Sequence, residues 1–216
     1  MINSYSWLAI ISFIIFISIS LMVWTNFKPF IRLEEKTATL FEKSFGHPKM
    51  GYSDGFFNGF LTFLVTYGSA PYLSILTVII AIFLFLKGYL SLAIGFLAMM
   101  SSGGILGILL KNVFKRPRPK NSLSFESGYS FPSGHAIASS IFFLSIIFLL
   151  FPMISGDFLR MILTGILLLL WSLLIFSRLY FHAHHLGDLI VGVFYAIFWV
   201  KTGIYIYSFI LSRFIY

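Results

Sequence analysis

The sequence predicts an all-α integral membrane bundle of six transmembrane helices, with an interfacial amphipathic segment between the first two. Composition and the spacing of apolar residues carry that prediction. Of 216 residues, 59% are hydrophobic and only 10% charged, with a mean hydropathy of +0.96. A water-soluble domain of this size would carry more than twice that charge. The apolar residues also fall into runs of about 18 or more, long enough to cross a bilayer.

The first run, Trp7–Trp24, lacks a basic leading region and a small-residue cleavage site, and reads as a retained helix rather than a signal peptide. In the next stretch, Asn26–Gly59, the charged residues Lys28, Arg32, Glu34, Glu35, Lys36, Glu42 and Lys43 alternate with Phe30, Leu33, Leu40 and Phe41. That alternation suits an amphipathic helix lying at the membrane surface; a plain solvated connector is the alternative. Five further runs follow: Phe60–Leu86, Leu90–Leu110, His135–Phe151, Met161–Phe176 and Leu189–Tyr207. Trp7, Trp24 and Tyr89 sit near run ends, where amphipathic rings favour the interface. Gly51, Gly55 and Gly59 recur at intervals of four, as do Gly103 and Gly107, a spacing expected to allow close helix packing. No stretch is left for a separate soluble domain, so residues 1–216 are expected to form a single membrane-embedded domain.

The chain has no cysteine, which excludes disulfides, thiol nucleophiles and thiolate metal sites. Its net charge of +8 points to the lipid bilayer or an anionic lipid as partner. Nucleic acid is not expected, because too few charges are available to line a groove for it. No feature of the sequence specifies an oligomeric state.

Six crossings have a parity consequence. The ends of the third and fifth spans and the starts of the fourth and sixth share one membrane face. Lys111, Arg118, Ser133, His135, Arg178, His184 and Asp188 lie at those positions.

Three polar segments there hold the chemistry. In Lys111–Pro119, the Arg116-Pro117-Arg118-Pro119 repeat keeps its arginines off helical geometry. An arginine fork on a stiff extended segment suits bidentate capture of phosphate oxygens, and Lys111 adds a point charge. Basic residues merely flanking a helix would be the plainer reading. In Pro132–His135, Ser133 is a candidate helix N-cap, and a helix N-terminus also attracts anions. Gly134 would let an oxyanion approach the backbone, and His135 could donate a proton to a leaving alkoxide. In Ser177–Asp188, His184 and Asp188 are four apart and would share a helix face. Asp188 could then fix the tautomer of His184 and leave its other nitrogen to attack phosphorus. His185 would point elsewhere, and His182 reads as an additional interfacial histidine. No metal site is expected: the ligand spacing is weak, and Lys111, Arg118 and Arg178 would repel a cation.

Together the segments fit K-x6-RP, PSGH and SR-x5-H-x3-D without a departure, through Lys111 with Arg118-Pro119, Pro132–His135, and Ser177-Arg178 with His184 and Asp188. The chain thereby resembles the type 2 phosphatidic acid phosphatase superfamily, the lipid phosphate phosphatases. The resemblance implies that His184 is the nucleophile forming a phosphohistidine, that Asp188 orients it, and that His135 is the general acid. It implies that Lys111, Arg118, Ser133, Gly134 and Arg178 bind phosphate, with no metal or other cofactor. The substrate is expected to be a membrane lipid phosphate, most simply undecaprenyl pyrophosphate, with phosphatidylglycerophosphate or phosphatidic acid as the alternatives. A membrane transporter is the reading from another class; it predicts charges near mid-bilayer, whereas here they collect at one face, with Lys201 the nearest exception.

Orientation is contested. Eleven basic residues fall on the motif face (Lys28, Arg32, Lys36, Lys43, Lys49, Lys111, Lys115, Arg116, Arg118, Lys120 and Arg178) and four on the other (Lys87, Arg160, Lys201 and Arg213). The positive-inside rule therefore points this face to the cytoplasm. The resemblance implies an extracytoplasmic active site on the cell membrane. Since several of these cations have phosphate or headgroups to serve, the extracytoplasmic orientation is preferred.

Overall fold

The structure, a computed structural model, describes residues 2–119, 122 and 128–214; Lys120, part of the basic count, lies outside them. Among the described residues the regular structure is entirely helical: α1 (Ile2–Trp24), α2 (Lys28–Phe45), α3 (Phe56–Tyr67), α4 (Ala70–Leu86), α5 (Leu90–Phe114), α6 (Gly134–Ser145), α7 (Asp157–Tyr180) and α8 (Leu186–Phe214). Helix α6 continues through a π turn, Ile146–Leu150, and a 3-10 turn, Phe151–Met153. Among the described residues, five helical segments are long and apolar enough to cross a membrane, and the bent α3–α4 pair makes six when taken as one span. This is the fold of a multi-pass membrane protein.

Helix α6 is the most enclosed span, packed against α5 and α8, and α8 in turn packs along α1. Phe96, Ile137, Ile141, Phe142, Val191, Tyr195, Ala196 and Val200 fill the centre. Gly103 and Gly107 permit the approach of α5 to α6: an added Cβ would lie 2.4 Å from Ile141 Cδ1 and 2.9 Å from Ile137 Cδ1. Lys201 is buried within α8 with its ammonium 3.3 Å from the centroid of the Phe148 ring, a cation–π contact.

Two expectations about the second span need correction. The run Phe60–Leu86 is not one straight helix; it bends by 63° between α3 and α4. Gly68 at the break lies against α7, where an added Cβ would fall 1.9 Å from Leu174 Cδ1, and Pro71 opens α4, where its missing N–H costs no helical bond. The glycines at 51, 55 and 59 are not a helix-packing stripe either. Gly51 and Gly55 precede α3, and Gly55 has φ +89, a conformation that favours glycine. The carbonyl of Gly51 instead accepts hydrogen bonds from Asn58 Nδ2 at 3.0 Å and Thr62 Oγ1 at 3.2 Å, pinning the connector to α3.

Helix α2 has the expected amphipathic form. Lys28, Arg32, Lys36 and Lys43 are exposed, Phe30 is buried, and Phe41 and Phe45 pack on Phe176 of α7. Glu34 departs from the pattern: it is buried among the apolar residues rather than facing solvent.

Candidate active site

The three polar segments meet at one end of the bundle. Helix α5 stops at Phe114 because Lys115 takes a left-handed conformation, φ 48, and the following Arg-Pro-Arg-Pro segment runs extended as its prolines require. Ser130 ties the returning chain to it, donating from its backbone to Arg116 O at 2.8 Å and from its hydroxyl to Pro117 O at 3.0 Å. The chain then enters α6 with Ser133 as N-cap, its Oγ accepting from the Ala136 backbone N–H at 3.4 Å. Ser133 N–H donates to Asp188 O at 3.1 Å, joining the first turns of α6 and α8.

His184 occupies the turn before α8 and is 3% exposed. Its Nδ1 lies 3.3 Å from Asp188 Oδ2, and its Nε2 lies 3.5 Å from Arg118 Nη1. The expected pairing of His184 with Asp188 thus exists, but the histidine precedes the helix instead of sharing a helical face with the aspartate. A consequence is that the His185 backbone N–H, with the helix only starting, donates to Asp188 Oδ2 at 3.0 Å. Burial of the ring, opposed by the Asp188 carboxylate and reinforced by the Arg178 and Arg118 cations, pushes His184 down to about 4. At neutral pH the imidazole is therefore uncharged, with a lone pair for a nucleophile.

The remaining candidates surround this pair. Arg118 also donates to Ala183 O at 2.9 Å and to Gly128 O at 3.2 Å, so its guanidinium is fixed against the His184 turn. Arg178, in the last turn of α7, is fully buried and close enough to His184 to lower its proton affinity. Lys111 donates to Tyr129 O at 3.0 Å, and its Nζ lies 3.9 Å from the point where a Cβ on Gly134 would stand. The lysine head therefore sits at the N-terminus of α6. His135 turns its Nε2 to Val65 O on α3, at 3.2 Å.

Other residues join the site, and Arg116, read with Arg118 as suited to phosphate capture, is turned to carboxylates instead. Arg116 Nη1 donates to Asp188 Oδ1 at 2.7 Å and to Glu34 Oε1 at 3.0 Å, while its Nη2 meets Glu34 Oε2 at 2.5 Å. The signal for Glu34 was its register: it shares the face of α2 that carries Phe30, Phe41 and Phe45. His182, read as an additional interfacial histidine, takes φ 51 and holds Gly46 O at 2.9 Å, fastening the α7–α8 turn to the end of α2. His47 packs on its ring and pairs with Glu42 at 3.0 Å. Among the described residues, no group of three or more His, Asp or Glu is arranged to hold a metal ion.

A search of curated proteins finds no significant sequence match. Among solved structures, the chain is similar to a transmembrane PAP2-type phosphatidylglycerolphosphate phosphatase from Bacillus subtilis, with a TM-score of 0.76 over 95% of this chain and 98% of that one at 20% identity. That likeness establishes the shared helical fold. Residues 92–211, which run from α5 into the last turn of α8 and hold all three polar segments, match the PAP2 superfamily. The chain belongs to the PAP2 superfamily.

Proposed function

We propose that the chain is a metal-independent membrane lipid phosphatase working through a phosphohistidine on His184. The observation that carries this reading is the two-sided environment of that ring, with Asp188 at Nδ1 and the Arg118 fork at Nε2. In the proposed reaction Nε2 attacks phosphorus, the P–O bond to the lipid breaks, and the departing oxygen takes a proton from His135. Asp188 steadies the imidazolium that forms. Lys111, Arg118 and Arg178, with the α6 N-terminus at Ser133 and Gly134, neutralise the phosphate oxygens, each donor contributing about 3 kcal/mol in the transition state. Water then cleaves the N–P bond and releases inorganic phosphate. The same cations suit an anion far better than a metal ion.

For the substrate we favour undecaprenyl pyrophosphate, whose terminal phosphate would be removed on the extracytoplasmic face of the cell membrane. Phosphatidylglycerophosphate is the second reading, supported by the structural likeness to a phosphatidylglycerolphosphate phosphatase. Purified protein given each lipid in turn is expected to release phosphate in the presence of EDTA and to be inhibited by vanadate. Loss of turnover on chelation, or full turnover by His184→Ala, overturns the mechanism.

A further inference from the structure

Asp188 is fully buried, and its two oxygens have different partners. Oδ2 takes the His184 ring and the His185 N–H; Oδ1 takes Arg116 at 2.7 Å. Arg116 in turn grips Glu34, which is 4% exposed, through both terminal nitrogens. Glu34 Oε1 also accepts the Gly187 N–H at 3.0 Å, so the α2 carboxylate touches the backbone beside Asp188 as well. The approach is close: a Cβ on Gly187 would lie 2.7 Å from Glu34 Oε1.

Buried charges at this density require compensation, and the order of charges here has a chemical consequence. An arginine beside Asp188 alone would neutralise the carboxylate and weaken its hold on an imidazolium at His184. Glu34 on the far side of the guanidinium offsets that charge and fixes the fork in position. Asp188 is thus oriented by Arg116 yet stays effectively anionic towards His184. Helix α2 otherwise presents exposed cations at the membrane surface, so the same ion pair links the surface helix to the reacting ring.

We propose that Arg116 and Glu34 are positioning residues for the His184–Asp188 pair, a buried Glu34–Arg116–Asp188 relay through which the interfacial helix α2 sets the geometry of the nucleophile. The relay rests on the phosphatase reading for its kinetic consequence, though not for its electrostatic one. Arg116→Gln and Glu34→Gln are expected to lower kcat about 10- to 100-fold on undecaprenyl pyrophosphate or phosphatidylglycerophosphate, with KM within about threefold of wild type. Glu34→Asp recovers part of the loss. The charge-swapped double variant Glu34→Arg/Arg116→Glu stays inactive, because it turns a carboxylate towards Asp188. A pair that only staples α2 to the bundle would be restored by the swap. Wild-type kcat in either glutamine variant, or recovery in the swap, overturns the proposal.

A second measurement needs no turnover. In protein labelled with 15N-histidine, Arg116→Gln is expected to move the His184 titration up, because Asp188 loses the cation that offsets its charge. Glu34→Gln, which removes an anion and keeps the cation, does not raise it. The charges bearing directly on the ring, Asp188, Arg118 and Arg178, are common to both variants. Loosening of α2 would raise the titration in both, and that result also overturns the relay. Absence of phosphate release by the wild-type protein on every lipid phosphate defeats the phosphatase reading, while the titration still decides the relay.

Discussion

His135 Nε2 lies 3.2 Å from the carbonyl oxygen of Val65, a residue in the last turn of α3. Carbonyls in the last turn of a helix have no partner within it, so the break before α4 leaves this oxygen available. A helix running straight from Phe60 to Leu86 would have used it internally. The bend at Gly68 therefore aims a ring on α6, and in the proposed reaction the proton handed to the leaving oxygen is the one on Nδ1.

Gly68→Ala tests that link. The added methyl meets Leu174 Cδ1 at 1.9 Å and Leu64 O at 2.5 Å, so α3 must shift against α7. Overpacking of this kind costs about 1–3 kcal/mol, visible as a lower Tm. We expect kcat to fall about tenfold as the Val65 carbonyl moves off His135. Adding Leu174→Ala relieves the side-chain clash but not the backbone one, so kcat remains low. Wild-type kcat in Gly68→Ala would show that the bend does not serve His135.

The pH dependence follows from the His184 environment. A ring held down to about 4 stays neutral as the pH falls through the usual histidine range near 6.5. Protonation removes the attacking lone pair, so the acid loss of phosphohistidine formation is expected near pH 4 and not at 6.5. Single-turnover phosphorylation of the enzyme, quenched at a series of pH values, measures it. An acid limb centred at 6.5 in wild type that shifts in Arg118→Lys would contradict the neutral-ring account.

Arg118→Lys is itself informative. The guanidinium reaches Ala183 O, Gly128 O and the His184 ring from one rigid plane, which an ammonium cannot reproduce. We expect kcat to drop about 10²- to 10³-fold, the scale of removing one transition-state donor, with little change in Tm. A loss confined to KM would assign Arg118 to substrate binding alone.

Much of this site could be read from the sequence because each piece is local. Lys111 and Arg118 are joined by one helix end and one proline-rigid segment, and His184 and Asp188 by a single turn. Parity of the spans then accounts for their meeting at one end of the bundle. The relay is different in kind. Arg116 and Glu34 are 82 residues apart and Gly187 and Glu34 are 153 apart, so the register of α2 can turn Glu34 inward but only tertiary packing reveals the partners it meets there. The bend at Gly68 was hidden for a related reason: hydropathy runs on through α3 and α4, and the close approach of Gly68 to Leu174 is a contact across the bundle.

Orientation is open to a direct test because the chain contains no cysteine. Ser53 is exposed in the connector between α2 and α3, at the active-site end, where Gly46 O is held by His182. Lys87 lies in the turn between α4 and α5, at the opposite end. If the site is extracytoplasmic, Ser53→Cys reacts with a membrane-impermeant maleimide in intact cells and Lys87→Cys reacts only after lysis. The reverse pattern would follow the positive-inside count, which assigns eleven cations to the active-site face. The structure weakens that count. Arg116 is committed to two buried carboxylates, while Arg118 and Arg178 lie around His184, so none of the three is a freely solvated loop charge of the kind the rule tallies. With these discounted, the remaining excess is carried largely by the exposed stripe of α2, an amphipathic helix whose cations suit anionic headgroups on either face. The labelling pattern expected is therefore the extracytoplasmic one, with Ser53→Cys modified before lysis.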